Sequence, residues 1–485
     1  MRIKRRRSGS VAIALFVSLL VGGAFFIGFQ FITKTGFFSI PGVVYYGESL
    51  NDNELTQLKT LFTEETKLKK DVFIAANESY VRPEPSNNTF FSSIMVPVTN
   101  FYEVRSDISE FSPDEYKFIP VEELSFDKKL LTIDGEYYLD DFSKGAIFRT
   151  ITFDSENFEE EIEPLVYDTF SKVVPLSSQD VLSFAQTGVT ALSRGMNTKM
   201  NSVNNGEYFA KNIGGFLSNF DLTHTSNESS FTNSASGSNI CTDWRFTSTL
   251  TAISLDIVEL TGNHNQDCGN SAANETIDYY RNSGIRTVGG GKNEQEAAVP
   301  LRIEEKENNI TFLAYNLSTG GATHGNAPGA NQYYEETAAK DISSAKERGD
   351  FVLVDVQYYE CSGYASEYED TTCDYANSAA GDQVGFFRHL IDLGADMVVG
   401  TSAHQPQTFE LYNDGVIYYG LGNLFFDQIW WPGTTRSLIL AHYFHDSKLL
   451  QTKIVPTVYD SALQTSIMDE EKKRWFINRL IQARP

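Results

Sequence analysis

Two separated stretches carry the residues best suited to chemistry. One is Leu260-Thr261-Gly262-Asn263-His264-Asn265-Gln266-Asp267-Cys268-Gly269; the other runs from Gly394-Ala395-Asp396 through Ser402-Ala403-His404 to Gly420-Leu421-Gly422-Asn423. In both, an apolar run stops at Gly, Asn and His, which is how α/β folds set reactive side chains at strand tips. Within Gly262-Asn263-His264 the glycine permits a tight bend, Asn263 offers a carbonyl oxygen and His264 an imidazole nitrogen. That pair suits a borderline divalent metal or a phosphate oxygen. Asp267 follows and can orient His264 by accepting from its ring. The structural alternative is an Asx turn in which Asn263 and Asp267 cap a helix starting near Ala272.

Carboxylates extend the set. Glu228 follows Asn227, and Glu360 ends the apolar run that starts at Phe351. A carboxylate at a strand tip can bind metal or act as a general base, although in a chain with 64 Asp and Glu each one alone also reads as an inert surface acid. Asn423 precedes Leu424-Phe425-Phe426-Asp427-Gln428, so it is the polar candidate beside an aromatic floor. The chain has 7 histidines. His224 and His324 fall in polar loops and His389, His442 and His445 at helix or strand positions, which leaves His264 and His404 as the two at strand ends.

These residues need a sheet to hold them. Apolar runs recur at residues 181–185, 254–260, 310–315, 351–356, 396–400, 415–419 and 437–444, with helical stretches expected at 205–217, 272–283, 335–347 and 382–393. Most runs are too apolar for half-exposed strands, so an α/β sheet buried on both faces is expected. Residues 225–239, rich in Ser and Asn, and 317–332, rich in Gly and Ala, read as long surface loops.

The organisation expected is a basic cytoplasmic leader (1–10), a transmembrane anchor (11–32), a small α/β or α+β domain without a catalytic motif (33–175), the site-bearing domain (181–445), and a strand-and-helix extension (446–485). Residues 11–32 carry no charge, and at about 1.5 Å per residue such a helix crosses a hydrocarbon core of about 30 Å. A cleaved signal peptide is the competing reading, but its apolar core is usually only about 7 to 15 residues. Arg2, Lys4, Arg5, Arg6 and Arg7 precede the span and only Lys34 falls between it and residue 47, so the positive-inside rule puts the N-terminus in the cytoplasm and the bulk outside the cell membrane.

The formal net charge is −25. Such a surface argues against nucleic acid and against docking on anionic lipid headgroups, since both attract basic patches. The 4 cysteines all lie in the distal part of the chain. In an exported protein they are expected as disulfides, local spacing favouring Cys361 with Cys373 and Cys241 with Cys268.

The ordered set Asn227-Glu228, Gly262-Asn263-His264 with Asp267 and Gly269, Gly394-Ala395-Asp396, His404, and Gly420-Leu421-Gly422-Asn423 with Phe426-Asp427 resembles the CapA-type proteins of bacterial poly-γ-glutamate capsule synthesis. The similarity covers about residues 183 to 445 and is strongest from Gly394 to Gln428. It implies a four-layer α/β/β/α sandwich related to calcineurin-like metallophosphatases, with ligands on loops at strand ends. It further implies a membrane-anchored, cell-surface role in making or exporting an anionic polymer, with that polymer or its biosynthetic membrane proteins as partners. If the site is catalytic, the resemblance implies metal-assisted hydrolysis or transfer at a phosphoryl or amide centre. His264 and His404 would then be ligands or proton donors, Glu228 or Glu360 the base, and Asn227, Asp267 and Asn423 would contact substrate.

The departures from that pattern are as informative. A Gly-Asp turn usually opens the domain, but here Thr187-Gly188-Val189-Thr190 has valine at the acid's place. A His-Trp-Gly-acid strand end reads Gln357-Tyr358-Tyr359-Glu360, and a Gly-x-His-x-His turn reads Gly400-Thr401-Ser402-Ala403-His404. Losing a carboxylate and two imidazoles removes most of the donor strength of a two-metal centre. A single weak divalent metal on Asn263, His264, His404 and Glu228, with Glu360 near, or none, is the expectation. The competing expectation is a non-catalytic polymer-binding or scaffold protein with a degenerate site.

Overall fold

A computed structural model of the chain describes residues 72–83, 89–154, 176–317, 320–361, 363–366 and 382–485, with residue 56 and the short strands Ser39–Ile40 and Val43–Gly47. The expected leader and anchor, residues 1–32, lie outside the described residues, as does Cys373. Among the described residues no helix is long and apolar enough to cross a membrane.

The chain forms two compact units. One comprises residues up to Thr99, Asp107–Glu123 and Leu130–Leu176. In its sheet Val43–Gly47 runs parallel to Val72–Ser79, and Val72–Ser79, Ile147–Asp154, Thr89–Asn100 and Lys117–Pro120 pair antiparallel in that order. Ile94, Val96 and Val98 alternate inward along one strand and Phe148 is buried with them, the period-two burial of a pleated strand with one covered face.

The other unit comprises Asn100–Ser106, Leu124–Lys129 and Ser177–Pro485. Its strands, in chain order, are β1 (Leu182–Thr190), β2 (Leu222–Asn227), β3 (Ile257–Glu259), β4 (Arg286–Val288), β5 (Leu301–Glu305), β6 (Asn308–Asn316) and β7 (Phe351–Gln357). They continue as β8 (Met397–Thr401), β9 (Phe409–Tyr412), β10 (Gly415–Tyr418), β11 (Asn423–Phe425), β12 (Arg436–His445), β13 (Lys448–Tyr459) and β14 (Thr465–Ile467). The main helices are α1 (Gly195–Val203), α2 (Thr247–Ala252), α3 (Asn270–Asn282), α4 (Glu335–Glu347), α5 (Gln383–Asp392) and α6 (Glu470–Gln482).

Two sheets result. The first has the order β4-β3-β2-β1-β12-β13-β14, with β11 beside the end of β1. Strands β1 to β4 are parallel, whereas β12, β13 and β14 are antiparallel additions. The second has the order β5-β6-β7-β8-β10-β9, parallel in its centre and closed by an antiparallel hairpin at each edge. Phe184, Ile257 and Leu440 of the first sheet meet Phe312, Leu353 and Val399 of the second in one core between them. Met196, Leu250 and Ile277 cover the first sheet's outer face, and Ala338, Ile342, Phe387 and Leu390 cover the second's. The layers are therefore helix, sheet, sheet, helix, and every residue of β7 and of β8 is buried. That double cover is why the strands read as apolar runs rather than alternating ones.

Local departures from the sequence expectation have plain causes. The strand expected at 181–185 continues to Thr190 because Gln186, Thr187 and Thr190 find buried hydrogen-bond partners. The helix expected at 205–217 is broken into Glu207–Ala210 and Gly214–Leu217, the interruption falling at residues 211–213 just ahead of two glycines that nucleate helix poorly. The loop expected from residue 225 begins later, since Thr225, Ser226 and Asn227 complete β2. Residues beyond 445 build β13, β14 and α6, and Phe476 and Leu480 of α6 enter the inter-sheet core. Cys241 and Cys268 form a disulfide, and Cys361 is disulfide-bonded as well.

Candidate functional site

The polar residues gather where β1, β2 and β3 of one sheet and β7 and β8 of the other reach their C-terminal ends. The chain leaving β2 stays against β1 because the Glu228 N–H donates to the Thr190 carbonyl at 3.2 Å. Gly262 lets the turn after β3 pass close over this point, since a Cβ there would lie 2.5 Å from the Asn227 carbonyl oxygen and 2.8 Å from the Glu228 Cα. After β8 the backbone enters the left-handed region at Ser402 (φ 74°) and His404 (φ 53°), a conformation that costs non-glycine residues energy and is held only by surrounding structure.

That surrounding structure is Asn423. Its amide nitrogen donates to the carbonyls of His404 and Thr434, each at 3.1 Å, so its oxygen must be the atom facing His404 Nδ1 at 2.8 Å. An amide oxygen only accepts. His404 Nδ1 therefore carries the proton, and Nε2 is the ring atom turned toward Glu228 Oε2 at 3.6 Å and Glu360 Oε1 at 3.9 Å. Glu228 is fully buried, His404 is 2 % exposed, and Glu228 Oε2 has no hydrogen-bond partner. Glu360 is 44 % exposed and marks the solvent side.

Gln357 ties the arrangement together. Its amide donates to Glu228 Oε1 at 3.3 Å and to Asn263 Oδ1 at 3.1 Å, while its oxygen accepts from the Thr401 hydroxyl at 2.9 Å. The structure thus brings together Glu228, Asn263, Gln357, Glu360, His404 and Asn423. His264 makes a different contact: its Nδ1 pairs with Asp267 Oδ2 at 2.8 Å, on a partly exposed turn. Among the described residues no hydrogen bond or ion pair joins His264 or Asp267 to Glu228, Glu360 or His404. Asn227 is buried in an internal amide pair, donating to Asn265 Oδ1 at 2.8 Å and accepting from the Tyr280 hydroxyl at 3.0 Å. Burial raises the Tyr280 hydroxyl's pKa, which keeps it a donor.

Beneath the site lies a buried polar column that the sequence reading passed over. Asp355 Oδ1 accepts from Gln186 at 2.6 Å, Asp355 Oδ2 lies 3.4 Å from His224 Nε2, and Gln186 Oε1 lies 3.2 Å from His442 Nε2. Glu259 accepts from the Thr261 hydroxyl. Burial, reinforced by the charges of Asp355 and Glu228 against the weaker pull of Ser226 and the Thr261 N–H, pushes the Glu259 carboxyl up to about 8. Burial and the neighbouring His224 push His442 down to about 3. A signal for this column existed: His224 and Ser226 on β2, with Glu228 just past its end, recur every second residue, as do Asp355 and Gln357 on β7, and period two puts each set on one face.

The residues do not fit a two-metal centre. Val189, where the family pattern has a carboxylate, is 1 % exposed and packs with Ala191 and Phe426 in an apolar patch. The Gln357 amide directs N–H groups at Glu228 and Asn263, the oxygens a cation would need. Among the described residues no group of three or more His, Cys, Asp or Glu is arranged to hold a metal ion.

An α/β/β/α sandwich with its polar cluster at the strand ends is the class that fold and site define. Residues 183–428, just over half of the 485, match the model of the bacterial capsule synthesis protein PGA_cap, and the chain belongs to that family. It is similar to the capsule biosynthesis protein CapA of Bacillus anthracis, 26 % identical over 208 residues that make up 41 % of this chain and 47 % of the relative. It is also similar to the PGA biosynthesis protein CapA of Bacillus subtilis, 27 % identical over 231 residues, 47 % of this chain and 57 % of the relative. A third relative is a probable polyglutamine synthesis accessory protein of Mycobacterium tuberculosis, 27 % identical over 188 residues, 36 % of this chain and 46 % of the relative. The chain spans about half the length of the curated relatives it matches.

Proposed function

We propose that this chain is a cell-surface protein acting in the synthesis or export of a capsule polymer of the poly-γ-glutamate kind, and that the strand-end cluster is its working site. The observation that carries the reading is the orientation of His404: Nδ1 is held by Asn423, so Nε2 is turned toward Glu228 and Glu360. An imidazole with one nitrogen fixed and the other beside carboxylates suits proton transfer at an amide or phosphoryl centre. His404 is the proton carrier in this reading, Glu228 or Glu360 the base, and Asn263 and Gln357 the positioning amides. His264 and Asp267 serve at the rim of the site, where they contact substrate or one weakly held divalent ion.

The same proposal takes residues 11–32 as a membrane anchor, 33–175 as a separate extracytoplasmic domain, 181–445 as the site-bearing domain and 446–485 as its extension. The polymer, or the membrane proteins that make it, are the partners. The names of the relatives support the polymer, and the basic leader ahead of an uncharged run supports the anchor.

A second reading, a non-catalytic polymer-binding or scaffold protein, is favoured by one observation: Val189 and Gln357 stand where the pattern has metal ligands. Polymer production by cells carrying His404→Ala, Glu228→Gln or His264→Ala separates the two. Loss of polymer with His404→Ala and Glu228→Gln, at normal protein level and fold, supports catalysis. Normal polymer with both variants removes it.

A further inference from the structure

A chain of ring and guanidinium contacts runs outward from His404. The His404 ring lies 5.3 Å from Phe426, the Arg194 guanidinium sits 4.4 Å over Phe426 and 6.0 Å from the ring of Trp430, and the rings of Trp430 and Trp431 are 6.2 Å apart. Trp431 in turn lies 5.4 Å from Tyr364. The N–H of Ala365, next to Tyr364, donates to Gln405 Oε1 at 2.8 Å, one residue from His404, and burial, then the charges of Glu360 and Glu228, raise the pKa of the Tyr364 hydroxyl. Trp430 is 62 % exposed and Trp431 40 %, so aromatic faces stand open to solvent.

The electrostatics of this enclosure have one sign. Arg194 is held by Asp427, at 3.1 Å from Nε and 2.6 Å from a terminal nitrogen, so its charge is already matched. Glu228 and Glu360 remain, and the fully buried Glu228 has an oxygen without a donor on the His404 side. A buried acceptor left unmatched costs free energy that a cationic N–H donor would recover. Aromatic faces attract the same kind of group through their quadrupole.

We propose that the site binds a primary ammonium group, the amine of an amino acid or of a peptide-like chain, with Glu360 and Glu228 as counter-charges and Trp431 and Tyr364 as walls. This rests on the reading of the strand-end cluster as the working site. An anionic polymer meets this enclosure by an amine end or an amine-bearing acceptor, because its carboxylates are repelled by the two acids. The inference concerns recognition alone and invokes no bond-making step.

The test uses the purified full chain and tryptophan fluorescence, titrated with butylammonium, with butanol as the neutral isostere, with glutarate as the amine-free dicarboxylate, and with manganese or zinc alone. Expected are saturation by butylammonium, at least ten-fold weaker binding of butanol, no response to glutarate, and at least ten-fold weakening of butylammonium binding in Glu360→Gln and Glu228→Gln. Glu360 is exposed enough that its variant tests the idea even if Glu228→Gln fails to fold. Equal binding of butanol and butylammonium, undiminished binding in Glu360→Gln, or a response to the metal ions only overturns the inference. If the amine is ignored while polymer production still requires His404, this inference fails and the functional reading stands. If the amine binds while His404→Ala makes normal polymer, the catalytic reading fails and this one stands.

Discussion

His404 and Asn423 are locked to each other: Asn423 Oδ1 takes the Nδ1 proton at 2.8 Å while its Nδ2 holds the His404 carbonyl at 3.1 Å. One amide therefore fixes both the ring's tautomer and the left-handed backbone that carries it. Asn423→Ala is expected to leave a buried Nδ1–H and a carbonyl unmatched, at a cost of about 1–3 kcal/mol for each group left without a partner. Urea unfolding measures the loss. Because the ring is freed as well, polymer production should fall further with Asn423→Ala than with an equally destabilising change in the inter-sheet core, such as Leu353→Ala.

Metal content is a second point of test. With Val189 and Gln357 at positions where carboxylate and imidazole would serve, the purified chain should hold fewer than two tightly bound transition-metal ions, read by elemental analysis after dialysis. Adding both donors, Val189→Asp with Gln357→His, should raise the bound metal if the fold tolerates a charge beside Phe426. Two tightly held ions in the unaltered chain would show the donor-set argument to be wrong.

The Glu259 carboxyl gives a third prediction, with a definite sign. Its folded value, about 8, lies above the ordinary carboxylate value, so the folded state holds a proton that the unfolded chain releases. This contribution is complete below about pH 4 and is lost as pH rises toward 8. His442, pushed down to about 3, acts from the other side and lowers stability as pH falls below about 6.5. Thermal stability should therefore decline from about pH 6.5 to 8, and Glu259→Gln should flatten that decline and leave the His442 loss below about pH 6.5 unopposed. An unchanged slope over that range in Glu259→Gln would count against the assignment.

Gly262 supplies the fourth. A methyl group placed there meets the Asn227 carbonyl at 2.5 Å and the Glu228 Cα at 2.8 Å, both backbone atoms that cannot swing aside. Gly262→Ala should cost about 1–3 kcal/mol, the usual range for forced overpacking, and should displace Glu228 from His404. Gly284→Ala, at a positive-φ glycine whose Cβ would meet nothing within 4 Å, is the control for strain without collision and should leave polymer production unaltered.

The apolar runs, the glycine bends and the Asn and His residues beside them were legible in the residue order, because burial on both faces and tight turning are local demands that composition and spacing record. So were the His264–Asp267 pair, three positions apart on one turn, and the Cys241–Cys268 bond, whose partners flank a single strand-and-helix segment. Only tertiary structure showed that His264 pairs with Asp267 with no hydrogen bond or ion pair to Glu228 among the described residues, and that Gln357 is the amide joining Glu228, Asn263 and Thr401. It alone showed that Asp355 and His224, more than a hundred residues apart, face each other between the sheets. The physical reason is that a strand's face follows from its own period, whereas the partner of each buried polar atom is set by how two sheets pack, and no spacing along the chain encodes that distance.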